Sequence, residues 1–233
     1  MTQRSKRRTV TSSATSSDPS SEGTRAALLR AAIAIAEEDG VGAIGLREAA
    51  RRAGLTHGAP YRHFESREAL VVAVAEDGFR ALLTMCIDAQ TAAGSDPLAR
   101  FQALGVTYIT FALARPGQFR VMFGAEAAAQ GDSVRSAEAA VFSLAVNAIA
   151  SAQREGLVDD GDPQELAMLA WSSAHGLAVL IHDGLAQWVG FDTASPERLA
   201  RRFTARLFEG LRTRKGNVGE ERKFEAPPIR KRA

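Results

Sequence analysis

The side chains best suited to bind a charged partner lie in one short stretch, LTHGAPYRHFESREAL, from Leu55 to Leu70. Tyr61 offers a phenolic hydroxyl and His63 a ring N–H, and both groups can donate hydrogen bonds to phosphate oxygens. Arg67 adds a permanent positive charge in the first turn of the next helical pattern, where the helix dipole also favours anions. These residue types at this spacing indicate binding of an anion.

The remaining candidates for chemistry do not form a catalytic or metal-binding pattern. His175 and His182 lie seven residues apart, which on a helix is about 10.5 Å, too far for neighbouring ligands of one ion. Cys86 is the single cysteine and has apolar neighbours at helical spacing, which indicates a buried hydrophobic role. The sequence contains no convincing nucleophile–base pair, phosphate loop or paired carboxylates. We therefore expect no enzymatic activity, no metal and no cofactor.

The composition is that of a chain with a real hydrophobic core. The sequence has 233 residues, of which 45% are hydrophobic and 24% charged. No apolar run approaches the roughly 20 residues that span a bilayer, and Ser and Thr follow the basic N-terminus where a secretory signal would need apolar residues. These features predict a cytoplasmic protein.

The elements that must position these side chains are all predicted to be helices. Apolar residues recur at helical spacing almost throughout, and no alternating strand pattern is convincing. Asp96-Pro97, Asp162-Pro163 and Ser195-Pro196 each place a capping side chain before a proline, which predicts three helix starts. Glycines at 40, 54, 94 and 156 predict helix ends. The sequence predicts about nine helices, over 23–39, 46–53, 57–63, 67–92, 97–114, 117–123, 133–155, 163–187 and 196–212.

Four regions follow from this pattern. Residues 1–20 are predicted to be a disordered basic tail and residues 213–233 a flexible basic tail. Both tails could simply favour solubility, and the N-terminal one could instead attract phosphate loosely. Residues 21–68 form a predicted three-helix unit, and residues 69–212 form a larger helical bundle.

The three-helix unit has the pattern of a helix-turn-helix. Gly54 permits a tight turn, Leu55 can fill the core, and Thr56 can cap a third helix whose first turn contains Gly58 and Pro60. In such a unit the third helix enters the DNA major groove and flanking residues contact phosphates. The same pattern also occurs in proteins that never bind DNA, and Tyr61 could instead belong to the core.

The segment RAALLRAAIAIAEEDGVGAIGLREAARRAGLTHGAPYRHFESREALV resembles the DNA-binding domain of TetR/AcrR-family transcriptional regulators along its whole length. The resemblance covers the LREAARRAGL second helix, the YRHF third helix and the SREAL start of the fourth. Gly45 replaces a frequent Ser or Thr cap, and Arg67 replaces a frequent Lys; both substitutions are compatible with the same roles. The residues expected to contact double-stranded DNA are Arg47, Thr56, His57, Gly58, Tyr61, His63 and Arg67.

The C-terminal region also resembles part of this family. WSSAHGLAVLIHDGL, with Trp171 and His175 one turn apart, is similar to the Trp…His-Gly signature of the WHG subgroup, and RPGQFRVMFG is similar to its short-helix region. The resemblance implies an apolar pocket for a small-molecule effector, lined by a subset of aromatic residues that could otherwise be ordinary core. For His175, a hydrogen-bonded core or interface position is favoured over ligand contact. The expected effector residues are Tyr108, Phe111, Phe119, Met122, Phe123, Trp171 and His175.

The resemblance further implies a homodimer formed by the last two long helices. Their apolar stripes could equally serve the core of one chain. The expected interface residues are Leu166, Ala170, Ser173, Leu177, Leu199, Phe203 and Leu207. The resulting hypothesis is a homodimeric repressor that a ligand releases from a palindromic operator. The alternatives are a ligand-independent or activating regulator, or a helical ligand-binding protein that does not bind DNA.

Overall fold

The computed structural model describes residues 19–128 and 132–211, and every regular element in those ranges is helical. The predicted all-α fold is therefore confirmed, whereas the predictions for the two tails fall largely outside the described residues. Two short 3-10 turns, Val41–Ala43 and Pro60–Arg62, accompany the α-helices. The α-helices are α1 (Pro19–Asp39), α2 (Leu46–Arg52), α3 (Arg67–Ala92), α4 (Pro97–Ala114), α5 (Pro116–Met122), α6 (Ala125–Ala128), α7 (Asp132–Arg154), α8 (Pro163–His182), α9 (Leu185–Trp188) and α10 (Pro196–Leu211).

Local capping signals set most helix boundaries as predicted. The carboxylates of Asp96 and Asp162 accept hydrogen bonds from backbone N–H groups two residues later, at 3.0 and 2.9 Å. Ser66 caps α3 by accepting from the N–H of Ala69 at 3.2 Å. The glycines that end helices adopt the left-handed backbone that favours glycine, with φ of 85°, 68°, 79° and 65° at Gly40, Gly54, Gly94 and Gly156.

The predicted third helix, over 57–63, is wrong in extent. Only Pro60–Arg62 is helical, as a single 3-10 turn whose N-cap is Ala59, and no side chain caps it. Thr56 instead begins a separate turn, in which its carbonyl accepts from the N–H of Ala59 at 3.0 Å. Pro60 has no N–H to continue an α-helical ladder, and Gly58 disfavours helix, so the chain forms two consecutive turns.

The long helix predicted over 163–187 is also interrupted. It ends at His182 because Gly184 adopts a left-handed backbone with φ of 75°, and the four-residue helix α9 follows. The sequence contains the signal for this stop, a glycine after a basic last turn, but the apolar periodicity continues through it.

A small core joins α1, α2 and the start of α3. Leu28, Ala32 and Ile35 on α1 are completely buried against Ala49 and Ala50 on α2. The alanines let the two helices approach closely, since a methyl side chain takes little space. The N-terminal unit is thus packed around small side chains.

The helix α3 belongs to both parts of the chain. Leu70 and Val74 are buried near the N-terminal unit, and Phe79, Leu82 and Cys86 are buried in the bundle, within one continuous hydrophobic cluster. At 26 residues, α3 is about 39 Å long. The helix α4 lies at the centre of the bundle and packs against α3, α7, α8 and α10. Within the described ranges, no helix is both long enough and apolar enough to cross a membrane.

Candidate functional site

The segment from Thr56 to His63 presents polar side chains to solvent. Thr56, His57 and Gly58 are exposed, Tyr61 is 53% exposed, and His63 is half-buried. The exposed ring of Tyr61 leaves its hydroxyl accessible, so the alternative that Tyr61 is pure core does not hold. The structure thus brings five of the seven predicted DNA-contacting residues into one short surface segment.

Two anchors hold this segment in place. The carbonyl of Pro60, whose ring is buried, accepts from the N–H groups of His63 and Phe64, both at 2.9 Å. The ring of Phe64 is only 3% exposed and lies 5.1 Å from the guanidinium carbon of Arg25 on α1. The backbone of the turn is therefore fixed to the core while its polar side chains remain accessible.

The arginines near this segment divide into paired and free groups. Arg51 and Arg52 both hydrogen-bond to Glu48, which lowers the pKa of that carboxyl to about 2. Arg52 also pairs with Glu38 at 2.5 Å and with Asp39. Arg47 and Arg62 are exposed, and neither has an ion pair among the described residues. Sequence reasoning selected Arg47 but missed Arg62, although it directly follows Tyr61.

Arg67, the predicted phosphate contact at the start of α3, is engaged within the chain. Its guanidinium donates to the carbonyls of Ile44 and Val41, at 2.8 and 3.3 Å, and pairs with Glu126 of α6 at 2.6 Å. These contacts join the N-terminal unit to the bundle. The geometry supports a positioning role for Arg67, and a phosphate contact would compete with the Glu126 ion pair.

Replacing Arg67 by lysine separates the positioning role of Arg67 from a phosphate contact. A lysine keeps the charge but cannot reach two carbonyls and a carboxylate with one ammonium group, so we expect a loss of about 1 kcal/mol in the free energy of unfolding. Urea denaturation measures this loss. Unchanged stability, together with weaker DNA binding, would contradict the positioning role.

A cavity of about 350 Å³ lies between α3, α4, α7, α8 and α10. This volume falls in the range typical of small-molecule sites. Tyr108, Phe123 and Trp171 line it as predicted. Phe111, Phe119 and Met122, which were also expected to contact the effector, are buried and do not line this cavity. The aromatic lining residues are Phe79, Phe101, Tyr108, Phe123, Phe142 and Trp171.

His175 lies behind the cavity wall and does not line the cavity. Its Nδ1 is 2.7 Å from the hydroxyl of Tyr108, and its ring centroid is 4.9 Å from that of Phe123. Burial lowers the pKa of His175, so the neutral ring is favoured, and burial raises the pKa of Tyr108. These contacts fit the favoured interpretation of His175 as a hydrogen-bonded core histidine.

Two family models match the chain, one in the N-terminal unit and one in the bundle. Residues 28–74 match the model described as "Bacterial regulatory proteins, tetR family", and residues 101–207 match "Tetracyclin repressor-like, C-terminal domain". The chain belongs to the TetR family. The description of the C-terminal match does not confirm the narrower WHG assignment. A comparison with curated proteins finds no match.

Solved structures share the fold of this TetR-family chain. A protein of unknown function from Rhodococcus sp. RHA1 is 32% identical, with a TM-score of 0.73, covering 87% of this chain and all of the other. A tetR-family regulatory protein from Rhodococcus RHA1 is 20% identical, with a TM-score of 0.63, covering 81% of this chain and 96% of the other. AibR, solved with isovaleryl coenzyme A and operator DNA, is 18% identical, with a TM-score of 0.61, covering 79% and 98%.

In this TetR-family chain, α5 connects the cavity to the N-terminal unit. The carboxylate of Glu37 on α1 accepts from the N–H groups of Gly117 and Gln118, at 2.8 and 2.9 Å. These are donors that the start of α5 would otherwise leave unpaired. Phe123, at the other end of α5, lines the cavity. The helix is thus held by the N-terminal unit at one end and contacts the cavity at the other.

The predicted dimer residues do not share one surface. Ala170, Leu177 and Leu199 are 6%, 6% and 3% exposed, and Leu166 is half-buried. Side chains so fully covered within one chain leave little surface for a second copy, so the single chain gives the first three of these predictions no support. Leu169 and Leu180, which belong to the same apolar stripe of α8, are 52% and 46% exposed. The other predicted residues, Ser173, Phe203 and Leu207, line a second groove between α8 and α10, and Leu207 also lines the cavity.

Proposed function

We propose that this TetR-family protein is a homodimeric repressor that binds a palindromic operator and releases it when a small molecule fills the cavity. Family members are generally DNA-binding proteins without enzymatic activity, and operator binding would place this one in the cytoplasm. The exposed turn containing His57 and Tyr61 would contact DNA. Arg47 and Arg62, which have no ion pair within the described ranges, would contact phosphates on either side.

The single observation that carries this proposal is the position of α5. Occupation of the cavity displaces or fixes Phe123, and α5 is joined at its other end to Glu37 of the DNA-binding unit. A ligand can shift operator affinity only if it prefers one arrangement of the two units over another. The contact between Glu37 and α5 is a route by which that preference would reach the DNA-binding turn.

A symmetric dimer explains how one short turn would recognise a long site. A two-fold axis presents two copies of the turn to two half-sites, one helical turn of DNA apart or a multiple of it. The exposed apolar side chains of Leu169, Leu180 and Phe203 supply candidate interface area on α8 and α10.

The operator-bound structure of AibR, which also holds isovaleryl coenzyme A, shows that this fold accommodates both a small molecule and operator DNA in that protein.

Operator binding is tested by selecting duplexes from a random library with the purified protein and then comparing variants. Tyr61→Ala and His63→Ala should each lower affinity about fivefold to tenfold across all sequences, since each loses one phosphate hydrogen bond. Thr56→Ala and His57→Ala should instead change which sequences are preferred, if these exposed residues reach base edges.

The matched control is Arg198→Ala on α10, an exposed arginine paired with Asp192 far along the chain from the turn. Its operator affinity should equal that of the wild type. A selection that enriches no specific duplex would favour the alternative of a ligand-binding protein without DNA binding. Operator binding that no cavity ligand alters would favour the ligand-independent regulator.

A further inference from the structure

The polar groups of the cavity wall differ in how completely they are satisfied. The hydroxyl of Tyr108 is bonded to His175, and the hydroxyl of Thr204 donates to carbonyls of its own helix, at 2.8 and 3.1 Å. Neither group therefore needs a ligand. The wall is otherwise apolar apart from two charged side chains on α7, Arg135 and Glu138.

These two charged residues are not equivalent. Arg135 is exposed and already pairs with Asp132 at 2.7 Å. Glu138 is half-buried, and across residues 19–128 and 132–211 its carboxylate has neither an ion pair nor a hydrogen bond. Burial is the main cause that raises the pKa of Tyr108, and the negative charge of Glu138 raises it further. The Glu138 carboxylate is therefore within electrostatic reach of a tyrosine that lines the cavity.

A cavity wall that combines one unpaired carboxylate, among the described residues, with six aromatic residues matches one class of ligand. Aromatic rings attract cations through their quadrupole, and this attraction grows when water is excluded. A half-buried carboxylate without a partner lacks part of its hydration, so a cation that reaches it gains more than at an open surface. An anionic ligand would instead meet Glu138 as a like charge, while the compensating arginine is already paired.

We propose that the cavity binds an organic cation, with its apolar body between the aromatic rings and its positively charged group at the carboxylate of Glu138. This inference rests on the proposed effector role of the cavity and names the chemical class of that effector. The charge of Glu138 selects the ligand, and the rings supply most of the contact area.

Three probes that share one skeleton and differ only in charge test this selection. They are phenylbutylamine, phenylbutanol and phenylbutanoate, measured at pH 7 with the full chain. The chain has two tryptophans, of which Trp171 lines the cavity and Trp188 is 84% exposed. In the Trp188→Phe background, quenching of Trp171 fluorescence therefore reports occupation of the cavity.

We expect the amine to bind about tenfold more tightly than the acid. Glu138→Gln should weaken the amine about tenfold and leave the alcohol within about twofold, whereas Glu138→Asp should keep the preference for the amine. Arg154→Gln is the matched control, because Arg154 is exposed in the last turn of the same helix and does not line the cavity, and this variant should also keep the preference. Circular dichroism of each variant checks that the helices are intact.

Two results would overturn the cation inference. The first is tighter binding of the acid that Arg135→Gln abolishes, which would mean that Arg135 selects an anion. The second is equal affinity for all three probes in the wild type and in Glu138→Gln, which would mean that charge is not selected. Operator affinity measured with and without the bound amine is a separate readout. If the amine binds through Glu138 without changing operator affinity, the effector role fails while the ligand class stands.

Discussion

Gly117→Ala will destabilise the protein by about 3 kcal/mol, the largest effect expected of any single methyl addition at the junction of α1 and α5. A Cβ at this position would lie 2.2 Å from the carbonyl oxygen of Ala36 and 2.4 Å from its carbonyl carbon. Both atoms belong to the backbone of α1, so the contact is relieved only by moving a helix. Urea denaturation followed by circular dichroism measures the loss.

Two other glycines provide the comparison. At Gly78, a Cβ would meet the Sδ of Met122 at 2.5 Å, but a flexible side chain can move away, so Gly78→Ala should cost less than Gly117→Ala. Gly23, on an exposed part of α1, has nothing within 4 Å, and Gly23→Ala should raise stability by about 0.5 kcal/mol through helix propensity. Equal costs at positions 117 and 78 would contradict the backbone contact.

Glu37→Ala will lower the free energy of unfolding by about 2 kcal/mol and weaken the response of operator binding to ligand. The substitution leaves the N–H groups of Gly117 and Gln118 without their carboxylate acceptor. It also cuts the contact that would transmit movement of α5 to α1. The measurements are urea denaturation and operator affinity with and without a saturating cavity ligand.

Glu38→Ala is the matched control for Glu37→Ala. Glu38 is the next residue on α1, but its side chain is 64% exposed and pairs with Arg52 at the surface. Its removal should change stability by less than about 1 kcal/mol and leave the ligand response intact. If both variants respond to ligand like the wild type, the proposed route through α5 is wrong.

Much of the fold follows from signals between residues that are close in sequence. Aspartate before proline at positions 96 and 162, and glycine at 94 and 156, predict where helices begin and end because capping bonds join residues two to four apart. The prediction of a third helix over 57–63 is wrong because two local signals conflict. The cap at Thr56 favours a helix, whereas Gly58 and Pro60 together break one, and the structure follows the latter.

Side-chain roles were predicted less well than helices. The apolar periodicity of α8 correctly indicated a helix, but α8 carries apolar side chains both on its buried side and on its exposed side. Periodicity alone does not show which residues of a stripe pack inside the chain, and the stripe of α8 contains both the buried Leu177 and the exposed Leu180. The aromatic residues of α4 and α5 presented the same ambiguity between cavity wall and core.

The sequence by itself determined the all-helical architecture and most of the helix boundaries, because capping and periodicity act over a few residues. Only the tertiary structure decided which charged groups are free. Arg67 is held by Ile44, Val41 and Glu126, partners 23 to 59 residues away, and Glu37 reaches α5 across 80 residues. Among the residues that the structure describes, Glu138 is left without a partner for the same reason: pairing between distant residues depends on how the helices pack, which no local pattern records.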